Sequence, residues 1–180
     1  KSNTVDLAAA CVNWTANGDC LPAEAEWEKA ARGGLDGQDF PWPGKDRDGA
    51  LLIDGSKASF WKSGHPFWRF DPYDDGSTPV GYYNGAQLPA GGNMTNGYGL
   101  YDMAGNVIEW CWDRYGTNYY SDYPTNAWPV NPVGPTNGEQ RALRGGSWGT
   151  AAGALRCAHR AGSDPAGTNN TAGFRCVRGL

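Results

Sequence analysis

The stretch Gly97–Cys111, GYGLYDMAGNVIEWC, decides how this chain is read. Two shorter segments near the C-terminus share its character, Arg144–Trp148 (RGGSW) and Gly173–Arg178 (GFRCVR). All three are dense in glycine and aromatic residues, as a rigid scaffold with tight turns requires. Between the last two lies Gly149–Ala172, GTAAGALRCAHRAGSDPAGTNNTA, which is small, polar and free of aromatics. A demanding frame thus encloses an undemanding insert.

The frame sits in a chain of 180 residues, a length that fits one domain with a sizeable core. Its 27 Gly and 12 Pro predict many turns and irregular segments rather than long helices. Nine Trp and nine Tyr supply the packing area that so few aliphatic residues cannot. The net charge of −4, with no Lys/Arg cluster, disfavours nucleic-acid binding. No apolar run approaches the ~18 residues that would span a bilayer, and no signal peptide is visible. Five cysteines (Cys11, Cys20, Cys111, Cys157 and Cys176) lack metal-ligand spacing, so zinc is not expected. Cys157 and Cys176 occupy matching LRC and FRC runs; a bridge between them is one expectation, two buried thiols the other.

Taken in order, Thr4–Trp14 predicts a short helix with Val5, Ala8, Ala9 and Val12 near one face. A second helix begins with Pro22 at its first position, carries Glu24 and Glu26 in its first turn and ends at Gly33-Gly34. Trp27, Ala30 and Ala31 give it a buried face. Phe40–Gly44, FPWPG, is an aromatic turn, and residues 45–96 are loop-rich. Val107–Asp113, Ala142–Trp148, Leu155–Arg160 and Phe174–Arg178 read as strands. The fold class is α+β, with helices early and a sheet assembled late.

LPAEAEWEKAARGG (Leu21–Gly34), FPWPG, NGYGLYDMAGNVIEWCWDRY (Asn96–Tyr115), LRGGSW and GFRCVRG occur in a set order. Together they resemble the formylglycine-generating-enzyme type of C-type lectin fold, also called the sulfatase-modifying-factor domain. The resemblance runs from about Cys11 to the C-terminus. It implies a single domain over residues 1–180, with two helices, an irregular antiparallel sheet and many loops. The further N-terminal segment that the family usually carries has no counterpart in the sequence, so a fragment or shortened member is expected. The resemblance also implies where catalytic cysteines would stand, at the second and seventh positions beyond the GGSW tryptophan. Those positions hold Thr150 and Leu155, and neither supplies a thiolate or a copper ligand. The related iron-dependent sulfoxide synthases need a histidine set, whereas this chain has only His65 and His159. No enzymatic activity and no redox cofactor are expected.

From Gly149 onward there is no Lys, Glu, Gln, Met or Trp, the residues that codons ending in a pyrimidine cannot encode. Most residues of 149–172 are reachable from an AAC codon by changing adenines alone. This resembles the variable region of diversity-generating-retroelement proteins, in which RGGSW, LR-A-R and GFR frame two mutable runs. Arg144–Trp148, Leu155, Arg156, Ala158, Arg160, Pro165 and Gly173–Arg175 match the fixed parts. The variable, ligand-contacting sites implied are Gly149, Thr150, Ala151, Gly153, Ala154, His159, Ala161, Gly162, Ser163, Asp164, Gly167, Thr168, Asn169, Asn170 and Thr171. Strands fixed by Trp148, Leu155 and Phe174 would hold these side chains outward. Surface substitutions typically shift stability by within ~0.5 kcal/mol, so such a face can change without cost to folding.

The resemblance further implies structural Ca²⁺. Asp102, Gly105, Val107 and Glu109 match one motif, two carboxylates plus two backbone carbonyls around a glycine turn. Ser59, Phe60, Asp71 and Tyr73 match a second. The plain alternative for Asp102 and Glu109 is a cap or a buried hydrogen-bond acceptor. The sugar-binding EPN and QPD motifs of lectins are not present.

The sequence therefore reads as a non-enzymatic binding protein that displays a variable C-terminal face to a protein or cell-surface ligand. A prokaryotic or phage variable protein, surface-displayed or phage-associated, fits that reading. A divergent oxidase and a sensor module with a fixed partner are the alternatives.

Overall fold

Helix α1 spans Glu24–Arg32 in a computed structural model, which describes residues 18–44, 53–63, 76–88, 90–124, 126–127 and 129–178. The expected first helix, Thr4–Trp14, lies outside those residues. In α1 the Glu26 carboxylate reaches back to accept the Ala23 N–H at 2.8 Å, so Ala23 is the cap and the helix starts two residues later than Pro22 predicts. Glu24 and Glu26 in the first turn and Lys29 and Arg32 in the last complement the helix dipole. Gly33 ends the helix in the left-handed conformation. Asn96 then covers the freed carbonyls, its Nδ2 donating to Ala30 and Ala31. The chains cross so closely there that a Cβ on Gly97 would lie 2.2 Å from the Gly33 carbonyl oxygen; no other residue fits.

The helix packs on a four-stranded sheet built from β2 (Ile108–Arg114), β3 (Arg141–Arg144), β4 (Ala161–Ser163) and β5 (Ala172–Gly173). Their order is β4-β3-β2-β5. The β2–β3 and β3–β4 pairs are antiparallel, with Glu109 opposite Arg144 and Ala142 opposite Gly162. The β2–β5 pair is parallel, so the expected antiparallel sheet is in fact mixed. Apart from it, β1 (Asp19–Cys20) pairs antiparallel with β6 (Val177–Arg178).

Three of the expected strands change form or length. Leu155–Arg160 is not extended: Ala152–Leu155 is a 3₁₀ turn, and the His159 N–H bonds back to the Arg156 carbonyl. Of the expected Phe174–Arg178 strand only Val177–Arg178 is extended, as β6, and the expected Ala142–Trp148 strand ends at Arg144, where the Gly145-Gly146 turn begins.

Two apolar clusters fill the interior. One gathers Phe40, Trp42, Ile53, Ala58, Phe60, Ala104 and Leu155, with the Phe40 and Trp42 rings of FPWPG stacked 5.4 Å apart. The other gathers Trp27, Ala31, Met103, Cys111, Ala142 and Cys157 beneath α1. The AGN turn of the central motif joins them. Gly105 donates to Gly145, Asn106 N–H donates to Ser59, and the Asn106 side chain exchanges two bonds with Thr78. A Cβ on Gly105 would fall 2.3 Å from the Ser59 carbonyl oxygen, and its φ of +81° independently favours glycine.

Charge is buried at the start of α1. Glu24, 1% exposed, accepts from Arg144 at 3.2 Å and from both Nε and Nη2 of Arg160 at 2.6 and 2.7 Å. Arg144, with no exposed surface, also reaches Glu28 and the Cys157 carbonyl at 2.5 Å and lies over the Trp27 ring. The Glu24 N–H donates to Asp113 at 2.7 Å. Burial, with the Glu24 charge adding to it, pushes the Asp113 carboxyl up to about 6.

Two outcomes follow. Glu24→Gln leaves two guanidinium groups facing a neutral amide and is expected to cost about 3–5 kcal/mol in chemical denaturation. Asp113 holds its proton longer in the folded state than in the unfolded chain, so its contribution to stability falls as pH rises from about 4 to about 6. Asp113→Asn removes that fall, and melts across this window should show the variant gaining on the wild type, by on the order of 1–3 kcal/mol at pH 7.

Candidate ligand-binding face

The segment that follows β3 folds back on itself through a small turn. Thr150 closes it: its Oγ1 accepts from the Ser147 N–H at 2.8 Å and donates to the Ser147 carbonyl at 2.9 Å. The Thr150 carbonyl accepts from the Trp61 N–H at 2.9 Å. Trp148 is held by the Asn106 carbonyl and packs against Gly76, where a Cβ would meet its ring at 2.7 Å. The 3₁₀ turn then drives Leu155, fully buried, into the first apolar cluster. Cys157 enters the second cluster while its N–H donates to Asp39 at 2.7 Å. Arg160 returns to Glu24, its guanidinium lying 5.2 Å from the Tyr115 ring and 4.7 Å from that of Tyr120.

This frame fixes the backbone, and the intervening side chains stay out of the core. None of the expected variable positions is buried. Gly149, Ala151, Asp164, Gly167, Thr168, Asn169 and Asn170 are exposed; Thr150, Gly153, Ala154, His159, Ala161, Gly162, Ser163 and Thr171 are half-buried. The matching frame residues Arg144, Gly145, Gly146, Ser147 and Leu155 are buried, whereas Arg156 and Ala158 are exposed. Burial and the neighbouring charges of Arg144 and Arg156 lower the His159 pKa, so that side chain is neutral near pH 7.

Phe174 is a correction. It was expected to anchor a strand from within, yet it is 68% exposed. Its neighbour Arg175 takes the inward role, binding both oxygens of Glu109 at 2.5 and 2.6 Å. The bridge between Cys157 and Cys176 is a second correction. Both thiols are free, Cys157 completely buried and Cys176 at the surface. Burial pushes Cys157 up to about 11 and Cys111 well above the ordinary thiol value, so neither is a ready nucleophile.

The first calcium set does not fit a dication in this structure. Asp102 and Glu109 are near enough for the Glu109 charge to help burial raise the Asp102 pKa. Glu109, however, is already engaged by the Arg175 guanidinium and by the Trp27 indole N–H at 2.6 Å. Asp102 Oδ2 accepts from the Gly81 N–H at 2.7 Å. With Glu109 neutralised, Asp102, Gly105, Val107 and Glu109 offer one free charge where calcium favours more. The cation that this loop meets is an arginine. In the second set Ser59 and Phe60 are buried, Ser59 Oγ donating to the Gly76 carbonyl at 3.0 Å, while Asp71 and Tyr73 lie outside the described residues. Among the described residues no group of three or more His, Cys, Asp or Glu is gathered to hold a metal.

Sequence reasoning reads Glu24 as a first-turn residue only, offers Glu109 as a buried hydrogen-bond acceptor without naming Arg175, and passes over Trp61 and Asn106. A signal existed for the first: two arginines inside a glycine-rich frame require a buried acid, and the chain presents one at the first turn of α1.

Comparison with known proteins matches residues 6–180 to the family described as the sulfatase-modifying factor enzyme 1-like domain. The formylglycine-generating enzyme of Streptomyces coelicolor is 36% identical over 175 residues, covering 94% of this chain and 49% of that protein. An inactive C-alpha-formylglycine-generating enzyme 2 from Bos taurus is 34% identical over 179 residues, 97% of this chain and 48% of its own. The serine/threonine-protein kinase Pkn1 of Chlamydia trachomatis is 41% identical over 161 residues, 89% of this chain but 21% of the kinase. Treponema denticola variable protein 1 superposes with a TM-score of 0.61 and 31% identity, over 94% of this chain and 50% of that one. The chain thus spans half or less of these relatives. No helix among the described residues is long and apolar enough to cross a membrane.

Cysteine labelling checks the thiol environments. In native protein a maleimide should modify Cys176 and leave Cys111 and Cys157 untouched until denaturant is added, as read by peptide mass mapping. Rapid native labelling of Cys157 would contradict its burial.

Proposed function

The chain belongs to the sulfatase-modifying factor enzyme 1-like domain family, and from that premise we propose that it is a non-enzymatic binding member whose C-terminal face is diversified. The observation that carries this reading is what stands at the two positions where oxidase relatives would have cysteines. Thr150 and Leu155 both crowd Gly146, where an added Cβ would sit 3.0 Å from Thr150 Oγ1 and 2.7 Å from Leu155 Cδ1. One side chain closes a turn and the other fills the core. Neither transfers an electron.

The unburied side chains between the frame residues support the second half of the proposal. So does the likeness to a structure whose name calls it a variable protein. In this reading the frame displays replaceable side chains, and affinity comes from whichever of them a given copy carries. This copy is rich in Gly, Ala, Thr and Asn across residues 149–171. Hot spots are enriched in Trp, Tyr and Arg, so its own affinity is modest. The ligand in this reading is a protein or a cell-surface structure.

The 36% identity to a formylglycine-generating enzyme favours a second reading, a divergent oxidase. Two measurements separate them. DNA flanking the codons for residues 144–180 should contain a near-identical repeat, with differences confined to adenines, beside a reverse-transcriptase gene. Purified protein supplied with oxygen, copper and a cysteine-containing sulfatase peptide should form no aldehyde detectable by mass. Aldehyde formation would overturn the proposal.

A further inference from the structure

The expected variable positions are not equivalent in space, and their differences point to which of them a ligand reads. At Gly149 a Cβ would meet only Thr171 Cγ2 at 3.5 Å and Ser147 Oγ at 3.9 Å, both ordinary contacts. At Gly153 it would meet only the end of the Arg156 side chain at 3.9 Å. Neither glycine adopts a left-handed φ, so any L-residue fits the backbone at both. The Gly149–Thr171 proximity brings the two mutable runs together, although Arg156 through Arg160 separate them in sequence. The far run is tied down at its end, where the Thr171 carbonyl accepts from the Ile108 N–H of β2 at 2.8 Å. Its turns are made locally, by Asp164 accepting from Ala166 and Asn169 from Thr171.

Strand β4 behaves differently. A Cβ on Gly162 would lie 2.4 and 2.5 Å from Cδ1 and Cγ of Tyr115 and 2.9 Å from Gln140 Oε1. The Tyr115 ring has nowhere simple to go. Its N–H is bonded to the Gln140 carbonyl, and its ring lies beneath the Arg160 guanidinium that grips Glu24. A side chain at 162 therefore pushes on the buried charge cluster at the head of α1. Thr150 is constrained as well, because its hydroxyl makes both bonds that close the 147–150 turn.

We infer that specificity resides in one patch made by Gly149, Ala151 and Gly153 together with Gly167, Thr168 and Asn170, that Asp164 and Asn169 hold the turns between them, and that β4 is its backing. This rests on the binding reading above and narrows it: Ala161, Gly162, Ser163 and Thr150 shape the face without contacting the ligand. A copy can place a large aromatic at 149 or 153 and fold unchanged, but position 162 stays glycine.

The map is tested without knowing the ligand. Gly149→Trp, Gly153→Trp and Gly162→Ala are made in the full chain and melted. The first two should stay within about 2 °C of the wild type, while Gly162→Ala should lower Tm by about 4–8 °C. The Gly162→Ala loss should shrink in a Tyr115→Ala background, a coupling that a general strand effect would not produce. In parallel, yeast-displayed libraries randomised at 149, 151, 153, 168 and 170 or at 150, 161, 162 and 163 are challenged with chymotrypsin. The first should keep diverse survivors, and the second should collapse to Gly at 162 and Thr or Ser at 150. Survivors carrying large residues at 162 as often as at 149 would overturn the inference. The diversification reading is judged separately by the flanking DNA, so either can fail alone.

Discussion

One carboxylate holds this architecture to a single arrangement. Glu24 sits almost wholly buried at the first turn of α1 and takes two arginines, Arg144 from β3 and Arg160 from the segment beyond the 3₁₀ turn. Removing Glu24 leaves Arg160 without a carboxylate and Arg144 with Glu28 alone, at a site that solvates them poorly. Such a cluster contributes less to net stability than to uniqueness, since hydrophobic groups of similar shape would often bind as well. Here it fixes three chain segments at once, and the aromatic stacking of Arg160 on Tyr115 and Tyr120 draws in a fourth. Because Arg144 precedes the mutable stretch and Arg160 interrupts it, the insert is clamped where its own residues give little purchase.

Much of this was legible in the sequence, and the failures have physical causes. Helix α1 announced itself through Glu24, Glu26, Trp27 and the Gly pair at its end, because capping and dipole rules act locally. Strand β2 was legible to within one residue at each end, and FPWPG as a turn packed by aromatics. Leu155–Arg160 was misread because Leu155 and Cys157 both point inward, which mimics a period of two. A tight turn produces the same spacing when the Cys157 N–H finds Asp39 and the His159 N–H finds Arg156. The LRC and FRC symmetry likewise said nothing of distance: one thiol lies under α1 and the other at the surface. Phe174 and Arg175 exchange the roles that hydrophobicity assigns them, because Glu109 and Trp27 together make an inward place for a guanidinium. Partners far apart in sequence leave no periodic trace.

The frame around Gly146 also shows how a scaffold can keep its shape while its chemistry changes. The turn that Thr150 closes needs a hydroxyl acceptor and donor, and Leu155 supplies apolar volume. Neither demand involves sulfur. A fold organised by glycine crossings and buried ion pairs leaves such positions open to exchange, and function then belongs to the local set of atoms rather than to the architecture.

The sheet order has a consequence for length as distinct from content. β4 and β5 occupy opposite edges, so residues 164–171 must travel past both β3 and β2 to connect them. Three strand spacings amount to about 14 Å, and because β4 ends level with Arg114 while β5 begins level with Ile108 the chain must also return about 20 Å along β2. An extended chain covers the resulting distance of about 24 Å in about seven residues. The connection holds a little more than that minimum. Insertions there add slack at small entropic expense, whereas a deletion of more than one or two residues would pull the parallel pair apart. Evolution along this stretch is therefore one-sided: it can grow freely but has almost nothing to give up.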